Sequence, residues 1–131
     1  MRPFALLLGV LVLASGVGLA RAEGVEPVEG GWKGKTSQGL YVYFGVRNGR
    51  VVNTRYRFRW GFCGTYGSHW KRAHLEIDPA GHWTVSDPRG STFEGTFVAP
   101  DRVEGRVSVV ERELPGCPKV EAPFVARPRR R

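Results

Sequence analysis

Between Leu40 and Trp60 the chain reads LYVYFGVRNGRVVNTRYRFRW, and apolar and polar side chains exchange places at nearly every step. A period of two puts successive residues on opposite faces of a strand, whereas a helix needs a repeat near 3.6. Leu40, Val42, Phe44 and Val46 share one face, with Tyr41, Tyr43 and Arg47 on the other. After Gly49 the rhythm resumes, setting Val52, Thr54, Tyr56, Phe58 and Trp60 against Asn53, Arg55, Arg57 and Arg59. Two such runs joined through Asn48-Gly49 predict a hairpin. A two-residue loop would place Phe44 opposite Asn53 and mix the faces. A three-residue loop, Arg47-Asn48-Gly49, pairs Val46 with Arg50, Phe44 with Val52 and Val42 with Thr54, and keeps one face apolar. The expected register is therefore the three-residue one, with Tyr41 opposite Arg55 and Tyr43 opposite Asn53.

The same rhythm recurs in short pieces. Trp32 to Thr36 opens the series. Ala73, Leu75 and Ile77 alternate with His74 and Glu76; after the turn Asp78-Pro79-Ala80-Gly81 come Trp83 and Val85. Phe93, Gly95 and Phe97, then Val103, Gly105, Val107 and Val109, then Val120 to Ala126 complete the set. Glycine at an apolar position inside a strand marks a bend or a close backbone approach. No stretch after the N-terminal apolar run carries a helical period. The predicted class is all-β, with about eight antiparallel strands in a small meander barrel; a β-sandwich is the alternative.

The ends are read separately. Met1-Arg2, the apolar run Phe4 to Leu19 and the small-x-small site Ala20-Arg21-Ala22 predict a signal peptide cut after Ala22, hence a secreted or periplasmic chain with no membrane span after cleavage. The expected organisation is signal peptide 1–22, N-terminal linker 23–30, a single β-domain 31–126 and a basic tail 127–131. The chain has two cysteines, Cys63 and Cys117, and in an exported protein such a pair predicts a disulfide.

Gly31-Trp32-Lys33-Gly34-Lys35-Thr36-Ser37-Gln38-Gly39 leads into alternating strands, with a cysteine after the second hairpin strand, a hairpin at Phe93 to Phe97 and a late cysteine. This arrangement, over nearly all of the chain after residue 22, resembles a recurrent small secreted bacterial β-domain type, and the resemblance implies a fold rather than an activity. Gly30-Gly31-Trp32 also resembles the Gly-x-Trp that opens lipocalin-like barrels. That likeness implies a late arginine over the tryptophan, for which Arg106, Arg112 or Arg127 is placed. The other lipocalin motifs are missing.

Charge carries the functional expectation. The formal net charge is +8, and the excess is uneven. From Gly30 to Leu75 there is no acidic residue against nine basic ones, whereas from Glu76 to Glu121 nine acids face five bases. Tyr41, Tyr43, Arg55, Arg57 and Arg59 on one outward face form a candidate anion-binding set, because arginine lies flat on tyrosine and still presents its planar fork to a phosphate, sulfate or carboxylate. Its expected partner is an acidic protein, an anionic glycan or another polyanion. The segment Gly61 to Arg72 is read as an anchored aromatic loop, with Phe62, Tyr66, His69 and Trp70 either a candidate binding lip or a plug over one mouth of the barrel. His74, Glu76 and His82 are the residues that could hold a metal for a hydrolase, but their spacing matches no established ligand pattern, and no catalytic residue, metal site or cofactor is assigned. The leading expectation is a non-enzymatic binding domain; a lipocalin-like carrier of an apolar ligand is the alternative and a metal-dependent hydrolase the third.

Overall fold

The computed structural model describes residues 25–110, 116–117 and 119–130. The signal-peptide reading of residues 1–22, and Arg112 as a cover for Trp32, lie outside them. Eight antiparallel strands make one sheet: β1 (Gly30–Thr36), β2 (Tyr41–Arg47), β3 (Arg50–Arg59), β4 (Thr65–Glu76), β5 (His82–Ser86), β6 (Thr92–Ala99), β7 (Arg102–Val109) and β8 (Val120–Pro128). Their order is β4-β3-β2-β1-β8-β7-β6-β5, so the first and last strands pair and curl the meander into a nearly closed barrel. β4 and β5 are its two edges and face each other across a seam. Among the described residues no helix is long and apolar enough to cross a membrane.

The alternation sorts side chains as expected. Trp32, Val42, Phe44, Phe58, Trp60, Trp83, Phe93, Phe97 and Phe124 are buried. Their rings form a chain through the interior: Trp32 stacks on Phe44 at 5.5 Å, Phe44 meets Trp83 at 5.0 Å, Trp83 meets Phe93 at 5.2 Å, and Phe93 stacks on Phe124 at 5.3 Å. The barrel is thus filled by its own aromatics, linking the strands on both sides of the β1–β8 pair. Trp32 is closed in by Phe44 and Phe97, and its indole N–H donates to the Val28 carbonyl at 2.8 Å. The late arginines do other work: Arg106 is held by Glu94, and Arg127 is exposed.

The hairpin register departs from the expected one. Val46 pairs with Val51 and Arg47 with Arg50, so the loop is the two-residue Asn48-Gly49, both with positive φ as a type I′ turn requires. The conflict that argued against this turn is resolved by a β-bulge between Tyr43 and Gly45. There Asn53 takes φ 53°, a left-handed conformation that asparagine tolerates better than most residues. The extra residue shifts the phase, so that Val51 is buried before the bulge and Thr54, Tyr56 and Phe58 after it. Tyr43 consequently sits opposite Arg55, where Tyr41 had been expected.

Segment Gly61 to Arg72 is mostly strand. A single turn of 3-10 helix, Gly61–Cys63, is followed directly by β4, in which Tyr66, Ser68 and Trp70 lean inward. The sequence obscured this because a second irregularity, opposite Asn53, inverts the phase at Lys71-Arg72. At the other end β8 continues through Pro128, and the Arg129 N–H donates to the Gly31 carbonyl at 2.8 Å, so the basic tail expected from residue 127 begins as part of the sheet.

Two contacts brace the barrel away from the β1–β8 ladder. Cys63 and Cys117 form the expected disulfide, joining the β3–β4 turn to the β7–β8 connection. At the seam, the Tyr66 hydroxyl donates to Asp87 Oδ2 at 2.7 Å. Tyr56, beneath it, has its phenol pushed far above the ordinary value by burial first and then by Tyr66 and Asp87, with Ser91 acting weakly in the opposite sense. Its hydroxyl sits near Ser91 without reaching good hydrogen-bond geometry. Burial and Asp87 raise Tyr66 as well. The folded chain therefore keeps these protons at a pH where an unfolded chain releases them, and stability present below pH about 10 falls as the pH rises further. Urea titrations above that pH should show a loss of up to about 1.4 kcal/mol per pH unit for one such group, and Tyr56→Phe should flatten the slope. An unchanged slope in that variant would remove Tyr56 as its cause.

Candidate functional site

The outer face of β8-β1-β2-β3-β4 is built by register. One row across the sheet runs Arg127, Lys33, Tyr43, Arg55, His69, each paired with the next. Two residues further along the strands, Val125, Lys35 and Tyr41 are paired in turn. Arg57 comes next by continuation of the Val42–Tyr56 pairing, and it faces Gly67. These positions point outward because their neighbours Trp32, Gly34, Val42, Tyr56 and Ala126 point in. Four of the five residues of the expected anion-binding set, Tyr41, Tyr43, Arg55 and Arg57, meet on this face. Arg59 extends it toward the β3–β4 turn, where its backbone N–H donates to Gln38 Oε1 at 2.8 Å and its carbonyl accepts from Gln38 Nε2 at 2.9 Å.

The tyrosines hold the cations in place. The Arg55 guanidinium lies 4.4 Å from the centre of the Tyr43 ring and that of Arg129 5.8 Å from it. The ammonium groups of Lys33 and Lys35 lie 4.2 Å and 5.3 Å from the centre of Tyr41. The negative face of each ring attracts the cation and leaves its hydrogen-bond donors free. Lys33, Lys35, Arg127 and Arg129 join the set expected from the sequence. The two lysines were legible in the alternation of GWKGKT, but the arginines join them through the β1–β8 closure, a contact between chain ends that no local pattern announces.

The two halves of the barrel treat their charges differently. On β5 to β8, Arg106 binds Glu94 at 2.5 Å and Arg102 binds Glu104 at 2.9 Å, while Lys119 lies 3.6 Å from Glu121. Glu94 is partly buried, which opposes its ionisation, yet Arg106 and His82 together hold its carboxyl below the usual range. None of Lys33, Lys35, Arg55, Arg57, Arg127 and Arg129 has a carboxylate partner among the described residues.

The expected aromatic lip is dispersed. Phe62 is fully exposed on the 3-10 turn, Tyr66 is tied into the seam, and Trp70 packs against Tyr56 with ring centres 5.8 Å apart. His69 is the member that joins the cationic face, its Nε2 lying 2.6 Å from Asn53 Oδ1. The candidate metal residues also part company. Glu76 faces Arg50, and His82 lies between Asp78 and Glu94. No group of three or more His, Cys, Asp or Glu side chains placed to hold a metal occurs among the described residues.

No protein-family model matches the chain. No solved structure matches it either. A stretch of 70 residues, 52% of this chain, is 31% identical to part of MAM domain-containing glycosylphosphatidylinositol anchor protein 1 from Gallus gallus. The chain spans 7% of that protein's length, and no residue role is carried across from it.

Proposed function

We propose that this chain is an exported, non-enzymatic binding domain that engages an anionic partner through the outer face of β1 to β3 and the end of β8. The observation that carries the reading is the set of six cations, Lys33, Lys35, Arg55, Arg57, Arg127 and Arg129, gathered on one face without an acid among them. Like charges held within about a Debye length of 8 Å repel one another, and a polyanion relieves that repulsion while releasing its own counterions. Export is supported by the closed Cys63–Cys117 bridge, since disulfides persist in oxidising compartments. The alternative of an apolar cargo is less well supported, because a chain of rings from Trp32 to Phe124 runs through the interior.

Retention on a heparin column tests the proposal. The variant Arg55→Ser/Arg57→Ser/Arg59→Ser should elute at lower salt than the parent. At about 1 kcal/mol per cation facing an anionic surface, its affinity should fall on the order of 10²-fold at physiological ionic strength. A chain shortened by its last two arginines should behave nearly as the parent does. Should the triple variant elute with the parent while keeping its fold by circular dichroism, the arginines serve solvation alone.

A further inference from the structure

The cationic face is divided. One open hollow of about 560 Å³ lies over β2 to β4, with Arg55, Arg57 and His69 at its sides and Gly67, which pairs with Arg57, in its lining. A second, of about 480 Å³, lies over β1 and β8, bounded by Lys33, Lys35, Arg127 and Arg129. Tyr41 lines both and forms the ridge between them. Across the sheet the nearest cations of the two banks stand on β1 and β3. That is two strand spacings, about 10 Å at the backbone, and the convex outer surface spreads the side-chain heads further.

We infer that the two hollows are paired subsites for successive acidic groups of one linear anionic polysaccharide, whose intervening sugar crosses Tyr41. This assignment rests on the proposed anion-binding role of the face and narrows its partner. A charge in each hollow with an uncharged spacer over the ridge is the pattern of sulfates or carboxylates on a stiff sugar chain. Stiffness matters because a ligand that already holds its charges at a fixed spacing loses little freedom on binding. A single-stranded nucleic acid suits the face less well. Its affinity depends on bases stacking on open aromatic rings, whereas Tyr41 and Tyr43 already carry Lys33, Lys35 and Arg55 over their faces.

Titration calorimetry at fixed ionic strength, with size-defined sulfated oligosaccharides cut from heparin, tests the inference. Short fragments should fill one hollow weakly. Affinity should then step up on the order of 10²-fold at the length that first reaches both hollows, because the second contact becomes intramolecular. Lys33→Gln/Lys35→Gln should abolish the step and leave binding of the shortest fragment within about twofold, since the two sites are then uncoupled. A smooth rise with length, or a step that survives in that variant, overturns the paired-subsite inference. Equal affinity for a single-stranded oligonucleotide or a polyglutamate of matched charge overturns the polysaccharide assignment and leaves the anion-binding reading standing. Failure of all three polyanions to bind at physiological salt removes both.

Discussion

Gly105→Ala is expected to destabilise the barrel by about 3 kcal/mol, the upper end of the overpacking range, although it adds a single methyl group. Gly105 on β7 faces inward between Gly95 and Phe124. A Cβ there would press on the Glu94 carbonyl oxygen and would stand 2.5 Å from the Phe124 ring. The carbonyl is part of the sheet and cannot rotate aside. The ring is stacked on Phe93, which is stacked in turn on Tyr56, so moving it disturbs three rings at once. Gly95→Ala should cost somewhat less. Its Cβ would meet the Trp83 ring and a Val103 methyl, both 2.7 Å away, and side chains yield more readily than backbone. Urea denaturation of both variants measures the difference. A Gly105→Ala midpoint close to the parent's would mean that β6, β7 and β8 pack more loosely than this register allows.

Removing the disulfide has an effect of similar size by a different route. Cys63 and Cys117 close a loop of 54 positions, and opening it restores unfolded-chain freedom worth roughly 4 kcal/mol in the chain-entropy picture. The bridge also spans two parts of the sheet whose nearest backbone connection is the β1–β8 ladder. Cys63→Ser/Cys117→Ser should therefore lose stability in denaturant. Its amide exchange should accelerate first along β4 and β5, the strands flanking the seam, and later along β1 and β2. Uniform acceleration in all strands would show that the bridge acts through the unfolded chain alone. A loss under about 1 kcal/mol would show that it is dispensable, against the 2–5 kcal/mol typical of small secreted domains.

Much of the architecture was legible in the chain because a strand writes its two faces into alternate residues. Val42, Phe44, Val46, Tyr56, Phe58 and Trp60 fall on the apolar face of the alternation and are buried. The outward arginines of β3 were assigned correctly for the same reason, as was the cysteine pair, whose composition admits one intramolecular bridge. The errors fall where the period breaks. A bulge changes phase without changing composition, so the irregularity at Asn53 looked like evidence for a longer turn, and the matching one at Lys71-Arg72 made half of β4 look like a loop.

What the sequence determined by itself is the two-faced character of each strand and the asymmetry of charge along the chain. A side chain's inward or outward sense depends on its immediate neighbours. The tertiary structure alone decided which outward residues became companions, because pairing of β1 with β8 joins segments separated by nearly the whole fold. That closure brings Arg127 and Arg129 beside Lys33 and Tyr43, leaves the acids of β5 to β8 to pair with the bases of their own half, and divides the resulting face at Tyr41.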